Sequence, residues 1–368
     1  MKLVTVVGAR PQFIKAAPVS HAVQDSTQFE EVFVHTGQHY DDNMSSVFFD
    51  ELGISTPDYN LGIGSATHGA QTGRMLESVE VVLKEENPDV VVVYGDTNST
   101  LAGALAATKL QVFVAHVEAG LRSFNRRMPE EVNRVLTDHA SDALFAPTPE
   151  AVQNLRQEGV ASSKILEVGD VMYDAVLHYA EKAEKTKSLF GEIGLERGSY
   201  ILATIHRAEN TDNPDRLAAI FGALMEVADD IDVVLPLHPR TENVLQKEGL
   251  FEDVDRQLCL TEPLGYLSMM LLERNSCLIA TDSGGVQKEA YFHRVPCVTL
   301  RDETEWTELV DHGWNVVTSP TSNESIRASI SGRIGTTGDD VDLYGDGKAA
   351  SRIVDYLVGQ FTPEYHLK

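Results

Sequence analysis

Cysteine, cationic charge and long apolar runs are all scarce in this sequence. Its three cysteines, Cys259, Cys277 and Cys297, lie far apart and form no metal-ligand or redox spacing. Buried free thiols in a reducing cytoplasm are therefore expected. No apolar run approaches the ~20 residues needed to cross a bilayer, so membrane insertion is not expected. The opening MKLVTVVGARPQF has one lysine, a short β-branched run and a turn, and does not read as a signal peptide. Basic residues number 30 against 56 acidic ones, for a net charge of −26. A field of that sign repels nucleic acid and anionic lipid, which argues against a polyanion partner. The phosphate-loop and GxGxxG signatures are missing, and so is a nucleophile elbow. No His/Cys/Asp spacing makes a metal site.

What is present is a globular composition, 42% hydrophobic and 23% charged over 368 residues, enough chain for about two domains. Short β-branched runs alternate with helix-period stretches. Lys2–Val7, Glu31–His35, Asp89–Tyr94, Val112–His116, Ala143–Pro147 and Ile165–Gly169 read as one set of buried strands. Tyr200–Ile205, Asp232–Leu237, Gln257–Thr261, Cys277–Thr281 and Pro296–Leu300 read as a second. Such alternation implies parallel sheets with crossover helices. The expectation is an α/β protein of two Rossmann-like domains with a central cleft. The first spans 1–180, with the C-terminal helix 347–368 packing back on it, and the second spans 181–346.

Ligands of open parallel sheets bind beyond the carboxyl ends of the strands, and the unusual residues cluster there. Gly8-Ala9-Arg10-Pro11-Gln12 and Lys15 follow the first strand. Gly95-Asp96-Thr97 and His116-Val117-Glu118-Ala119-Gly120-Leu121-Arg122 follow two buried ones. In the second half the strand ends carry His206-Arg207, His238-Pro239-Arg240, Asp282-Ser283-Gly284-Gly285 and Arg301. Ser283, Gly284 and Gly285 lead straight into a helix, whose positive end and bare amides suit a phosphate. The same residues also suit a capped turn. Cations gathered at strand ends in so acidic a chain favour a shared anionic ligand, for which arginine gives forked donors. The carboxylates Asp96, Glu118 and Glu130 or Glu131 are candidates for proton transfer, or for capping and helix-dipole partners.

In this combination and order, these motifs resemble the non-hydrolysing UDP-N-acetylglucosamine 2-epimerases. Thr36-Gly37-Gln38-His39, Pro129-Glu130-Glu131-Val132-Asn133-Arg134 and His206-Arg207-Ala208-Glu209-Asn210 belong to the same pattern. The resemblance implies a glycosyltransferase-B-like fold, a homodimer, a UDP-sugar substrate and no cofactor. It also implies elimination of UDP across C1–C2 and its re-addition. Asp96, Glu118, Glu130, His206 and Lys15 would then be catalytic. Arg10, His206, Ser283, Gly284, Gly285 and Glu289 would hold UDP, and Arg122, Arg134, His238 and Arg301 would contact substrate.

The stretch Gln38-His39-Tyr40-Asp41-Asp42-Asn43-Met44-Ser45 and Ala208 depart from members with a second, regulatory UDP-sugar site. Arg126, Arg127 and Arg301, in segments resembling a subgroup that epimerises UDP-2,3-diacetamido-2,3-dideoxyglucuronate, suit a uronate carboxylate. Rival readings are a glycosyltransferase of the same fold, a hydrolysing epimerase and a nucleotide-sugar sensor.

Overall fold

The computed structural model describes residues 1–38, 49–186 and 188–362. The chain divides into two compact units, Met1–His178 with Asp342–Lys368, and Tyr179–Val341.

The first unit is built on a seven-stranded sheet of order β3-β2-β1-β4-β5-β6-β7. Its strands are β1 (Lys2–Val7), β2 (Glu30–His35), β3 (Tyr59–Asn60), β4 (Val90–Tyr94), β5 (Phe113–Val117), β6 (Ala143–Ala146) and β7 (Ile165–Glu167). Every pairing is parallel. A parallel sheet is covered on both faces, so its inner strands are apolar throughout rather than alternating. Val90, Val91, Val92 and Val93 of β4 accordingly have no exposure. On one face Val4, Val6, Val91 and Val93 pack on Val79 and Leu83 of helix His68–Glu86 and on Ala104 and Ala107 of helix Asn98–Lys109. Helix Ala349–Phe361 also belongs to this unit. Its first amides, Ala349 and Ala350, donate to Asp174 at 3.2 and 2.8 Å. The Phe361 ring meets Phe113 edge-on, with centroids 5.4 Å apart.

The second unit has a six-stranded parallel sheet of order β10-β9-β8-β11-β12-β13. Its strands are β8 (Tyr200–Thr204), β9 (Asp232–Pro236), β10 (Cys259–Thr261), β11 (Leu278–Thr281), β12 (Cys297–Thr299) and β13 (Asn315–Val317). Ile201, Ala203, Val233, Leu235 and Ala280 pack on Leu217, Phe221 and Leu224 of helix Pro214–Ala228. The fold is α/β, two parallel sheets flanked by helices.

Sequence reading missed two edge strands. β3 is only two residues long. β13 begins with a buried asparagine that breaks the apolar pattern. Asn315 is inside because it accepts from Thr299 Oγ1 at 2.9 Å and donates to Gln287 Oε1 at 3.0 Å.

Candidate active site

In the first unit the chain runs outward from β1 to β2 and β3, then returns to place β4 on the other side of β1. The carboxyl ends of β1 and β4 therefore flank a topological switch point. The turn after β1 is packed so closely that a Cβ on Gly8 would lie 2.1 Å from both Ser99 Oγ and Thr36 Oγ1. Gln12, 1% exposed, ties the two strand ends together. Its Oε1 accepts from Gly8 N at 2.8 Å, and its Nε2 donates to Tyr94 O at 2.8 Å and Thr100 Oγ1 at 2.9 Å. This fixes the start of helix Arg10–Ser26, which carries Arg10, half-buried, and Lys15.

Lys15 forms an ion pair with Glu118, both side chains being mostly enclosed. Glu118 follows β5 in a left-handed conformation, φ 69°. Gly95, φ 62°, closes over the pair, since a Cβ there would stand 3.0 Å from Lys15 Nζ and 3.2 Å from Glu118 Oε2. The next residue, Asp96, pairs with Arg134 at 2.6 Å. Asn133 Nδ2 donates to the Asp96 carbonyl at 2.9 Å. Asp96, Glu118, Lys15 and Arg134 are thus two ion pairs at the carboxyl ends of β4 and β5.

Helix Pro129–Ala140 supplies Arg134 and starts with both candidate glutamates, which differ in environment. Glu131 is 1% exposed and organises the preceding loop, accepting from Ser123 N at 2.9 Å and Phe124 N at 3.1 Å and pairing with Arg134 at 3.0 Å. Glu130 is half-buried, and among the described residues it has no hydrogen-bond or ion-pair partner.

Arg122, expected to contact substrate, lies inside the first unit. Its side chain is 1% exposed. It spends its donors on Asp138 at 2.7 Å, on both oxygens of Glu158 at 2.8 Å, and on Leu121 O at 2.7 Å. Burial pushes the Asp138 carboxyl up, but hydrogen bonds and charge from His116 and Arg122 outweigh it and hold it below the usual range. His116 faces Asp138 through Nδ1 at 2.7 Å and Gly95 O through Nε2 at 2.8 Å.

The second unit has its own switch point, at β8 and β11. His206 follows β8, and Ser283-Gly284-Gly285 follows β11. Asp282 binds these two turns together rather than facing outward. It is fully buried and accepts from His206 N at 3.1 Å, Arg207 N at 3.0 Å and Asn210 Nδ2 at 3.1 Å. His206 lies 5.8 Å from His238, ring to ring. His238 is exposed and caps helix Pro239–Lys247, accepting from Arg240 N at 3.1 Å.

Ser283 precedes helix Gly284–Phe292, and its hydroxyl makes no capping bond to that helix. No heavy atom lies within 4 Å of a Cβ built at Gly285. Amides of a helix's first turn, with the positive end of its dipole, form a seat for an anion. Glu289, 7% exposed, lies one turn further in.

Arg301, also expected to contact substrate, follows β12. Its side chain is 3% exposed and paired with Glu305 at 2.9 Å and Glu209 at 3.3 Å. It props Glu305, and Glu305 in turn explains Gly284. A Cβ on Gly284 would lie 2.4 Å from Glu305 Oε1 and 3.6 Å from Arg207 Nη2.

Sequence reasoning also missed Lys288, 1% exposed, whose ammonium lies 4.3 Å from the Trp306 ring centroid. Trp306 Nε1 donates to Gly284 O at 2.9 Å. Both stand in segments resembling the diacetamido-uronate subgroup, but their contact shows in no motif because they meet only through the fold. The stretch after Gln38 that departs from regulated relatives falls in 39–48, outside the described residues. Among the described residues no group of three or more His, Cys, Asp or Glu is placed to hold a metal ion. Among them also, no helix is long and apolar enough to cross a membrane.

A family model described as UDP-N-acetylglucosamine 2-epimerase matches residues 21–358. The UDP-2,3-diacetamido-2,3-dideoxy-D-glucuronate 2-epimerase of Pseudomonas aeruginosa is 52% identical over 360 residues, 97% of this chain and 99% of that protein. A UDP-N-acetylglucosamine 2-epimerase homolog of Methanococcus maripaludis is 52% identical over 361 residues, again 97% and 99% of the two chains. The crystal structure of Methanocaldococcus jannaschii UDP-GlcNAc 2-epimerase, in complex with UDP-GlcNAc and UDP, has a TM-score of 0.91 and 46% identity. It covers 97% of this chain and 99% of that one.

Proposed function

Because this chain belongs to the UDP-N-acetylglucosamine 2-epimerase family, and so is a UDP-sugar isomerase, we propose that it interconverts UDP-GlcNAc and UDP-ManNAc. A carboxylate removes the C2 proton while the C1–O bond to UDP breaks, leaving an unsaturated sugar and UDP. UDP then re-forms the C1–O bond while a second carboxyl group returns a proton to the opposite face of C2. Atoms and electrons balance without a cofactor.

The observation that carries this reading is the pair of ion pairs at the switch point of the first unit, Lys15–Glu118 and Arg134–Asp96. Two carboxylates, each paired with a cation, Glu118 enclosed and Asp96 partly open, would supply the base and the acid that such a reaction needs. We assign proton transfer to Asp96 and Glu118, with Glu130 as the third candidate. Lys15 would neutralise charge on Glu118 and on the departing group. His206, with Ser283, Gly284, Gly285, Arg10 and Glu289, would hold UDP. Departing diphosphate gains negative charge, which amides and a histidine beside it offset.

The pairing of Arg301 with Glu305 and Glu209 offsets its charge within the protein and supports the uncharged acetamido sugar. Arg126 and Arg127 are exposed and favour UDP-2,3-diacetamido-2,3-dideoxyglucuronate as the second reading. The three free cysteines support a reducing, cytoplasmic location. Val132 and Leu136, exposed on one face of helix Pro129–Ala140, support a homodimer.

Incubation with UDP-GlcNAc in D₂O, followed at C2 by NMR, tests the reading. Deuterium at C2 in a mixture of UDP-linked epimers is expected. Free sugar would indicate hydrolysis. Exchange with the diacetamido uronate alone would transfer the assignment to the second reading, and exchange with neither would overturn both.

A further inference from the structure

Asp138 takes no part in the proton transfers above, yet its carboxylate reaches both flanks of Glu118. It is 1% exposed. One oxygen faces His116 Nδ1 at 2.7 Å, two residues before Glu118. The other accepts from Gly120 N at 3.1 Å, two residues after it, and from Arg122 Nη2 at 2.7 Å, two further on. The segment so held carries a left-handed, side-chain-bearing residue, Glu118. Glu118 has φ 69° and Gly120 φ 85°. The amides of Glu118 and Ala119 converge on one carbonyl, Phe145 O, each at 3.1 Å. A left-handed backbone at a side-chain-bearing residue persists only where its surroundings over-determine it.

We propose that Asp138 is a positioning residue for the epimerase reaction. Holding His116, Gly120 and Arg122 on one carboxylate, it keeps Glu118 in the left-handed conformation that delivers its side chain to Lys15. The proposal rests on the reading of Glu118 as a proton-transfer group. Asp138 lies on helix Pro129–Ala140, which also carries Arg134, the partner of Asp96. One helix therefore sets the placement of both carboxylates.

Asp138→Asn keeps the shape but replaces one acceptor oxygen by a donor amide, so one flank meets a donor facing a donor. A displacement of order 1 Å at a reacting group costs about 100-fold, and a kcat loss of that order is expected with KM near wild type. UDP binding by calorimetry is expected to stay unchanged. A crystal structure of the variant is expected to show Glu118 withdrawn from Lys15, with its φ relaxed to negative values. Glu158→Gln is the control, because it loosens Arg122 from outside without touching the Asp138 grip, and its kcat is expected to remain near wild type.

Unchanged kcat in Asp138→Asn, retention of the Glu118–Lys15 pair, or an equal loss in Glu158→Gln would each overturn the proposal. If Asp138→Asn does not fold, His116→Gln releases one flank alone, and the same split between kcat and KM is expected. Failure of the underlying reading looks different: Glu118→Gln would then turn over normally, whatever Asp138→Asn does.

Discussion

Lys15 and Glu118, 103 residues apart in sequence, form an ion pair at the carboxyl ends of β1 and β5, under the glycine that ends β4. Neither side chain is open enough for water to replace its partner, so each depends on the other. Glu118→Gln keeps the shape and removes the proton-accepting charge. We expect C2 exchange to fall by about 10²–10⁴-fold, the usual weight of a positioned acid or base. UDP binding, measured by calorimetry, should be nearly unchanged.

Gly95→Ala tests the same pair from the backbone side. The new methyl would meet Lys15 Nζ at 3.0 Å and Glu118 Oε2 at 3.2 Å, at a φ of 62°. Left-handed strain alone should cost about 1–2 kcal/mol in urea unfolding. Turnover should drop further than that loss explains, because the ion pair itself must shift.

Gln111 offers the opposite test. It follows helix Asn98–Lys109 and its Leu110 cap, is exposed, and has φ 61°. Glycine is the residue that this position of a helix end favours. Gln111→Gly should raise unfolding free energy by about 0.5–1 kcal/mol, less the entropy of a freer unfolded chain, with activity unaltered.

His293 gives a pH prediction. Burial lowers it to about 3, and Arg274 adds to the effect. Glu273, 3.9 Å away, is too distant to hydrogen-bond it. The folded-state value lies below the ordinary 6.5, so the unfolded chain takes up the proton first as pH falls. Stability is therefore lost below about 6.5 and continues to fall toward about 3, by about 1.4 kcal/mol per pH unit from this group. His293→Gln should flatten the decline of Tm between about pH 6 and about pH 4, whatever it does to Tm at neutrality.

The proposed homodimer places Leu136, 47% exposed beside Val132 at 36%, in its contact. Leu136→Glu is expected to give a monomer by light scattering, with secondary structure by circular dichroism unchanged. A variant that stays dimeric would place the contact elsewhere.

The inner strands and the residues at their carboxyl ends were legible because a doubly covered parallel strand is an uninterrupted apolar run that must end in a turn. The two edge strands lacked that run. The carboxylate partners of Arg122 and Arg301 were illegible for a related reason. An arginine after a strand looks the same whether it meets a ligand or a carboxylate, and the partner of Arg122, Glu158, stands 36 residues away. Asp138 gave no local signal, and Glu305 stood in a subgroup-like segment that did not show its contact at Gly284. Their parts depend on which segments the sheet order brings together.

The first unit is interrupted. Its Asp342–Lys368 segment is synthesised only after the whole of Tyr179–Val341. That later unit is continuous, so it can complete its own core while Phe29, Phe113 and the Asp174 carboxylate still await the helix that covers them. The earlier-made half should therefore be the last to become protease-resistant on the ribosome. Chains stalled near residue 341 should expose its uncovered sheet face to chaperones.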